Sequence, residues 1–252
     1  MTDLEQKTVH RAIAPLLAEA RIASPLTSQL LAGEVVSVME ARNDWRLVRG
    51  GDGYVGWTHA GYLMPSVGDE STWRISLGCD ARNARGERIA LPLGARITPG
   101  DTVVCGDMIA AEDREARFRR NAFAIAQSAC SLYEGASYLW GGVTPWGCDC
   151  SGFVQRIFGL HDVSLPRDAW QQALLGQALS DDASADHEPG TLIFFSDRED
   201  RRITHVGMAL GAHRMVHSAL MRGGVAVEMM LSEDPYVARL RAQCVSARRL
   251  VS

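Results

Sequence analysis

Along the first quarter of the chain, apolar and polar residues alternate in the two-residue rhythm of half-buried strands. Glu34-Val-Val-Ser-Val-Met39 and Trp45-Arg-Leu-Val48 show it, Gly50-Gly-Asp-Gly53 interrupts it as a turn, and Tyr54-Val-Gly-Trp57 resumes it. A weaker form of the same rhythm runs from 70 to about 110 through Trp73-Arg-Ile-Ser-Leu77, Arg88-Ile-Ala-Leu91 and Thr102-Val-Val-Cys105. The pattern predicts one all-β unit over residues 1–66 and, over 67–115, either a second small β unit or a linker.

From Glu112 the period lengthens. Phe118, Ala122, Ile125 and Ala129 recur at helical spacing with Arg117, Arg119 and Arg120 outside, which predicts a helix through this stretch. A loop rich in Gly and Trp follows, from Tyr138 to Gly147. Further helices are predicted over about 150–158 and 168–179. Residues 181–190 form a polar connector, and three strands, 191–196, 203–210 and 214–218, close the pattern. Residues 116–252 therefore read as one α+β domain.

Composition narrows the function classes. Of 252 residues 46% are hydrophobic and 22% charged, enough apolar material for a sizeable core. The formal net charge of -4, with Lys7 the only lysine and the arginines scattered, argues against a nucleic-acid partner. Without a second lysine no phosphate loop ending in Gly-Lys is possible. The amino terminus is acidic and mixed, and no run approaches the ~18 apolar residues of a membrane span. The expected setting is soluble and cytoplasmic, with no membrane partner.

Six cysteines, at 79, 105, 130, 148, 150 and 244, are too few for a secreted disulfide scaffold. No paired C-x-x-C spacing offers a zinc site, so neither a metal nor another cofactor is expected. Gly51-x-Gly53-x-x-Gly56 matches a dinucleotide fingerprint only formally, because Trp57, Gly61 and Tyr62 after it make a poor helix.

One thiol stands apart. Cys150 sits where the Gly-rich loop gives way to an amphipathic helix carrying Phe153, Val154, Ile157 and Phe158. In the first turn it feels the positive end of the helix dipole and free N–H groups, so its pKa is expected to fall. A nucleophilic thiol needs a base, and the base an orienting partner. His205 and His217 lie on successive apolar strands. A three-residue loop at 211–213 would set Leu210 opposite Arg214, His205 opposite Ala219, and His217 diagonal to His205 on one sheet face. A two-residue loop would put the two rings on opposite faces. The alternative is a pair of core histidines satisfied by backbone.

Taken in order, Tyr138-x-Trp-Gly-Gly, Asp149-Cys-Ser-Gly-Phe-Val, Leu165-Pro-Arg-Asp168 with Gln171 or Gln172, His205-Val-Gly-x-x-Leu-Gly211 and His217-Ser resemble the NlpC/P60 family, papain-like cysteine peptidases of bacterial cell-wall peptides. Ser28-Gln-Leu-Leu-Ala-Gly-Glu34, Asp44-Trp45 and Asp52-Gly-Tyr-Val-Gly-Trp57 resemble a bacterial SH3 domain. The resemblance implies a papain-like α+β catalytic domain over 116–252, preceded by one or two small SH3-like barrels. It also implies acyl transfer, with Cys150 as nucleophile, His205 as general base and acid, His217 orienting it, and the Cys150 N–H with the Tyr138 hydroxyl steadying the oxyanion.

Relatives of this architecture cleave the γ-D-glutamyl–diamino acid bond, diaminopimelate included, of peptidoglycan-derived peptides with a free N-terminal L-Ala, in cell-wall recycling. By that resemblance Tyr54, Asp149 and Ser151 would contact the L-Ala-γ-D-Glu part, with Asp149 pairing with its ammonium group. Asp149 reads equally as the cap of the helix at Cys150, and Tyr54 as a core aromatic. Relatives often carry an acid two places before the SH3-block glutamine. Here Gln29 follows Thr27-Ser28, and that acid is missing. Two other functions compete: an amidase or acyltransferase of the same fold, and a wall-fragment binding module with an idle thiol.

Overall fold

The structure, a computed structural model, describes residues 4–66, 73–83 and 85–251. The chain divides into two compact units, Met1–Arg114 and Glu115–Ser252.

In the first unit, β1 (Gln6–Val9), β2 (Ile13–Leu17), β3 (Leu26–Leu31), β4 (Val35–Arg42), β5 (Trp45–Arg49), β6 (Val55–His59) and β7 (Leu63–Pro65) form one antiparallel sheet in the order β3-β2-β6-β5-β4-β1-β7. The alternation seen in the sequence resolves into a core of Val9, Ala14, Leu16, Leu30, Val36, Val38 and Val48, with Tyr54, Tyr62 and Leu63 packed against it. A second sheet joins β8 (Arg74–Arg82), β9 (Arg88–Leu91), β10 (Arg96–Ile97) and β11 (Thr102–Ala110) around β8. It belongs to the same unit: the Arg96 N–H donates to the Ala32 carbonyl at 2.8 Å.

α1 (Arg114–Arg117) straddles the boundary, and the second unit holds α2 (Ala122–Leu132), β12 (Val143–Thr144), β13 (Gly147–Cys148), α3 (Cys150–Leu160), α4 (Ala169–Gln172), β14 (Gln177–Leu179), β15 (Leu192–Phe195), β16 (His205–Gly211), β17 (Arg214–Ala219), β18 (Gly224–Met229), α5 (Pro235–Ala242) and β19 (Cys244–Arg249). Its six-stranded sheet runs β14-β19-β15-β16-β17-β18, and α3 packs on β16 and β17 with α2 alongside. Phe153, Ile157 and Phe158 on α3 and Leu192, Phe194 and Val206 on the sheet are fully buried. Among the described residues no helix is long and apolar enough to cross a membrane.

Three sequence expectations change. The helix expected from Glu112 breaks at Phe118–Asn121, because Phe118 turns inward onto His161 and the His161 Nδ1 bonds the Arg119 carbonyl at 2.7 Å. Asn121 then starts α2 afresh, its side chain accepting from the Ala124 N–H at 2.8 Å. The helix expected over 168–179 stops at Gln172. Gly176 takes φ +71° against the Arg249 backbone, where a Cβ would collide, and the chain enters β14, paired with β19. Nor do three strands end the chain: β18, α5 and β19 follow, and β19 inserts between β14 and β15.

Candidate active site

Asp149 caps α3, its Oδ1 accepting from the Gly152 N–H at 2.8 Å, so Cys150 is the first residue of the helix. The turn into α3 is tight. A Cβ on Gly152 would run into the Gly142 carbonyl, which ties the Trp-Gly-Gly and Cys-Ser-Gly segments to each other. The fully buried Gln172 braces the same turn by donating to the Ser151 and Pro166 carbonyls at 3.1 and 2.9 Å.

The histidines meet by a route different from the expected one. Gly211 pairs with Arg214 across a two-residue loop, Ala212-His213, both with positive φ as such hairpins require. A bulge between Ala209 and Gly211 absorbs Leu210, leaving Met208 opposite Val216. Continued along both strands, that register would run His205 level with Ala219, the relationship a three-residue loop would have given. His205 Nε2 and His217 Nδ1 lie 2.8 Å apart, with ring planes at 68°.

Cys150, His205 and Tyr138 line one cavity of about 440 Å³, with Leu220, Met221 and Tyr236 forming an apolar side. Leu220 and Met221 are exposed. Burial sets the protonation here. It pushes the Cys150 thiol up to about 12, with the nearby Asp149 carboxylate adding to the rise and N–H groups of Val206 and Ser151 opposing it. The expected fall does not occur, because an exposed helix terminus offers ~0.3–1 kcal/mol whereas Cys150 has lost its water. Burial, then the neighbouring His217, pushes the His205 imidazole down to about 3. Both shifts favour a neutral thiol beside a neutral ring over an ion pair. Burial also raises the Tyr138 phenol, which stays a hydroxyl donor.

Asp149 and Ser151, two of the residues expected to hold substrate, bond to Arg167 within the second unit. Both oxygens of Asp149 are engaged: Oδ1 by Gly152 N–H and Arg167 Nη1, Oδ2 by Gly141 N–H and Arg167 Nη2. Arg167 thus meets Asp149 with a paired positive charge inside the unit. Ser151 is buried, and its hydroxyl accepts from Arg167 Nη1 at 2.8 Å. Tyr54 belongs to the first unit, half-buried against the core of its sheet.

Two residues escaped the sequence reading. Arg167 stands in the Leu165-Pro-Arg-Asp168 block, so the motif itself was the available signal, whereas its pairing with Asp149 18 positions away was not. Glu228, on β18, accepts from His217 Nε2 at 3.3 Å and from Arg222 at 2.7 and 3.0 Å. No local pattern marks it. Cys148 is buried, which raises its thiol to about 12, and its carbonyl accepts from the Ser218 hydroxyl at 2.7 Å. Among the described residues no cluster of three His, Cys, Asp or Glu side chains suits a metal.

Comparison with known proteins finds matches in both units. Residues 135–243 match the NlpC/P60 family and residues 16–60 the bacterial dipeptidyl-peptidase Sh3 domain. A γ-D-glutamyl-L-lysine dipeptidyl-peptidase of Bacillus subtilis is 39% identical over 114 residues, 44% of this chain and 37% of that protein. One of the same name from Bacillus cereus is 25% identical over 241 residues, 78% of this chain and 68% of that protein. The crystal structure of an NlpC/P60 family protein from Bacillus cereus superposes with a TM-score of 0.78 at 18% identity, over 98% of this chain and 100% of that one, a likeness of fold. The match to the Bacillus subtilis protein thus spans little more than a third of its length.

Proposed function

We infer that this chain, which carries an NlpC/P60 domain preceded by a bacterial SH3 domain, is a cysteine peptidase acting on peptidoglycan-derived peptides. The observation that carries the reading is the 2.8 Å bond between His205 and His217 in β16 and β17, with His205 on the same cavity as Cys150.

The chemistry follows from that arrangement. Cys150 Sγ attacks the amide carbonyl while its proton passes to the ring nitrogen of His205 that does not face His217. The N–H at the start of α3 and the Tyr138 hydroxyl steady the oxyanion. His205 returns the proton to the leaving nitrogen as the C–N bond breaks. Water, deprotonated by His205, then cleaves the thioester and the proton goes back to Sγ. No step needs a metal or cofactor.

The bond we assign is γ-D-glutamyl–diamino acid, with diaminopimelate or lysine as the diamino acid and cell-wall recycling as the setting. The names of the two Bacillus relatives, γ-D-glutamyl-L-lysine dipeptidyl-peptidases, support the lysine form of that bond. The relatives' designation as dipeptidyl-peptidases supports a preference for a free amino terminus, which we take to be that of L-Ala.

The test incubates the full chain with L-Ala-γ-D-Glu-diaminopimelate, its lysine counterpart and the N-acetylated forms, and reads products by mass spectrometry. Release of the diamino acid from free-amine peptides only, abolished in Cys150→Ala, is the expected result. Cleavage of acetylated peptides at the same rate would remove the amine preference. No cleavage of any of them would overturn the assignment and favour an amidase or acyltransferase acting elsewhere.

A further inference from the structure

His217 is fully buried, and each of its ring nitrogens has a different partner: Nδ1 meets His205 Nε2, and Nε2 meets Glu228 Oε1. Burial opposes ionisation of Glu228, yet the hydrogen bonds from His217 and Arg222 outweigh it and hold the carboxyl down to about 2. At working pH Glu228 is a carboxylate, and a carboxylate only accepts. The hydrogen between them therefore sits on His217 Nε2. In the neutral ring Nδ1 is then bare, so the hydrogen of the 2.8 Å contact belongs to His205 Nε2. A neutral His205 protonated at Nε2 is bare at Nδ1, the nitrogen left to accept the thiol proton.

We propose that Glu228 is the positioning residue that sets the tautomers of both histidines, fixing His205 as a proton acceptor toward Cys150. Were the His217 hydrogen on Nδ1 instead, it would point at His205 Nε2 and force the His205 hydrogen onto Nδ1, where it faces the thiol and blocks proton transfer. The carboxylate is itself held in place. Arg222 grips it through Nε–Oε1 at 2.7 Å and Nη2–Oε2 at 3.0 Å, and is in turn bonded at 3.2 Å by Asp234, the cap of α5. Tyr236 packs over both the Arg222 guanidinium and the His217 ring. During turnover no proton needs to leave His217 or Glu228; the relay only orients. The kinetic consequence rests on the cysteine-peptidase reading, whereas the tautomers do not.

The first test is the wild-type protein with 15N-labelled histidine, whose NMR spectrum separates protonated from bare ring nitrogens. The expected result is hydrogen on Nε2 of both His205 and His217; hydrogen on His205 Nδ1 overturns the proposal whether or not any peptide is cleaved. The second test is a cycle. Glu228→Leu is expected to give mixed tautomers and to lower kcat on the order of 100-fold with KM little changed. In His217→Asn the amide oxygen takes the place of Nδ1 and accepts from His205 without any tautomer to choose. There, adding Glu228→Leu is expected to cost less than about threefold. An equal loss in both backgrounds would mean that Glu228 serves only stability. Wild-type tautomers and kcat in folded Glu228→Leu would also refute the proposal.

Discussion

Arg167 holds Asp149 through two parallel hydrogen bonds, Nη1 to Oδ1 at 3.0 Å and Nη2 to Oδ2 at 2.5 Å, with both side chains buried. A buried pair of this kind costs most when one partner is removed, since the other charge is left without water or counter-ion. Arg167→Ala is expected to destabilise the protein by about 3–5 kcal/mol in denaturant titration. Arg167→Lys should recover little, because an ammonium cannot make both bonds. If Asp149 instead served chiefly to bind substrate, Asp149→Asn would raise KM while leaving the unfolding midpoint unchanged, and Arg167→Ala would be mild.

Burial holds the Cys150 thiol up to about 12, so the thiolate fraction at neutral pH is small. Alkylation follows the thiolate. In the absence of substrate, iodoacetamide is expected to label the exposed Cys105 ahead of Cys150. The Cys150 rate should climb about tenfold per pH unit from neutral into the alkaline range. A rate plateau already reached near neutrality would show a resting thiolate–imidazolium pair and contradict this.

The Glu228 carboxyl is held at about 2 in the fold against an ordinary value of 4.5. Between these values the unfolded chain binds a proton that the folded one does not. Its contribution to stability is therefore complete above about 4.5 and is lost as pH falls toward 2. Glu228→Gln should lower stability at neutral pH and flatten the acid limb of the stability profile over that window, as measured by chemical denaturation across pH. An acid limb unchanged in the variant would mean the carboxyl is not specially held.

A Cβ at Gly152 would press into the Gly142 carbonyl, backbone against backbone, with no flexible side chain to give way. Gly152→Ala is expected to cost about 1–3 kcal/mol from overpacking and to displace the first turn of α3. Peptidase activity should then fall more than the unfolding midpoint suggests. Activity and midpoint both at wild-type level would show that the turn relaxes freely.

Some of the site could be read one residue at a time. Asp149 and Cys150 mark a helix start because a cap and a first turn are matters of three or four consecutive residues. The facing of His205 and His217 was also foreseen, but through a different loop. The hairpin makes its turn in two residues and recovers the register with a bulge at Leu210. Periodicity fixes which face a strand residue takes, but not how the chain turns between strands. The helix ends at Phe118 and Gln172 were missed for a related reason. His161 and the Arg249 backbone, which enforce those ends, lie about 40 and more than 70 positions away in sequence.

By itself the sequence determined the alternation of the N-terminal strands, the amphipathic helix behind Cys150 and the order of the motif blocks. All of these arise from contacts within a turn or a strand. Tertiary structure decided the rest: that Asp149 is taken by Arg167, that burial lifts the Cys150 thiol rather than lowering it, and that Glu228 stands behind His217. Those outcomes depend on which distant groups exclude water and which meet within 3 Å, and such distances exist only once the sheet and α3 have packed.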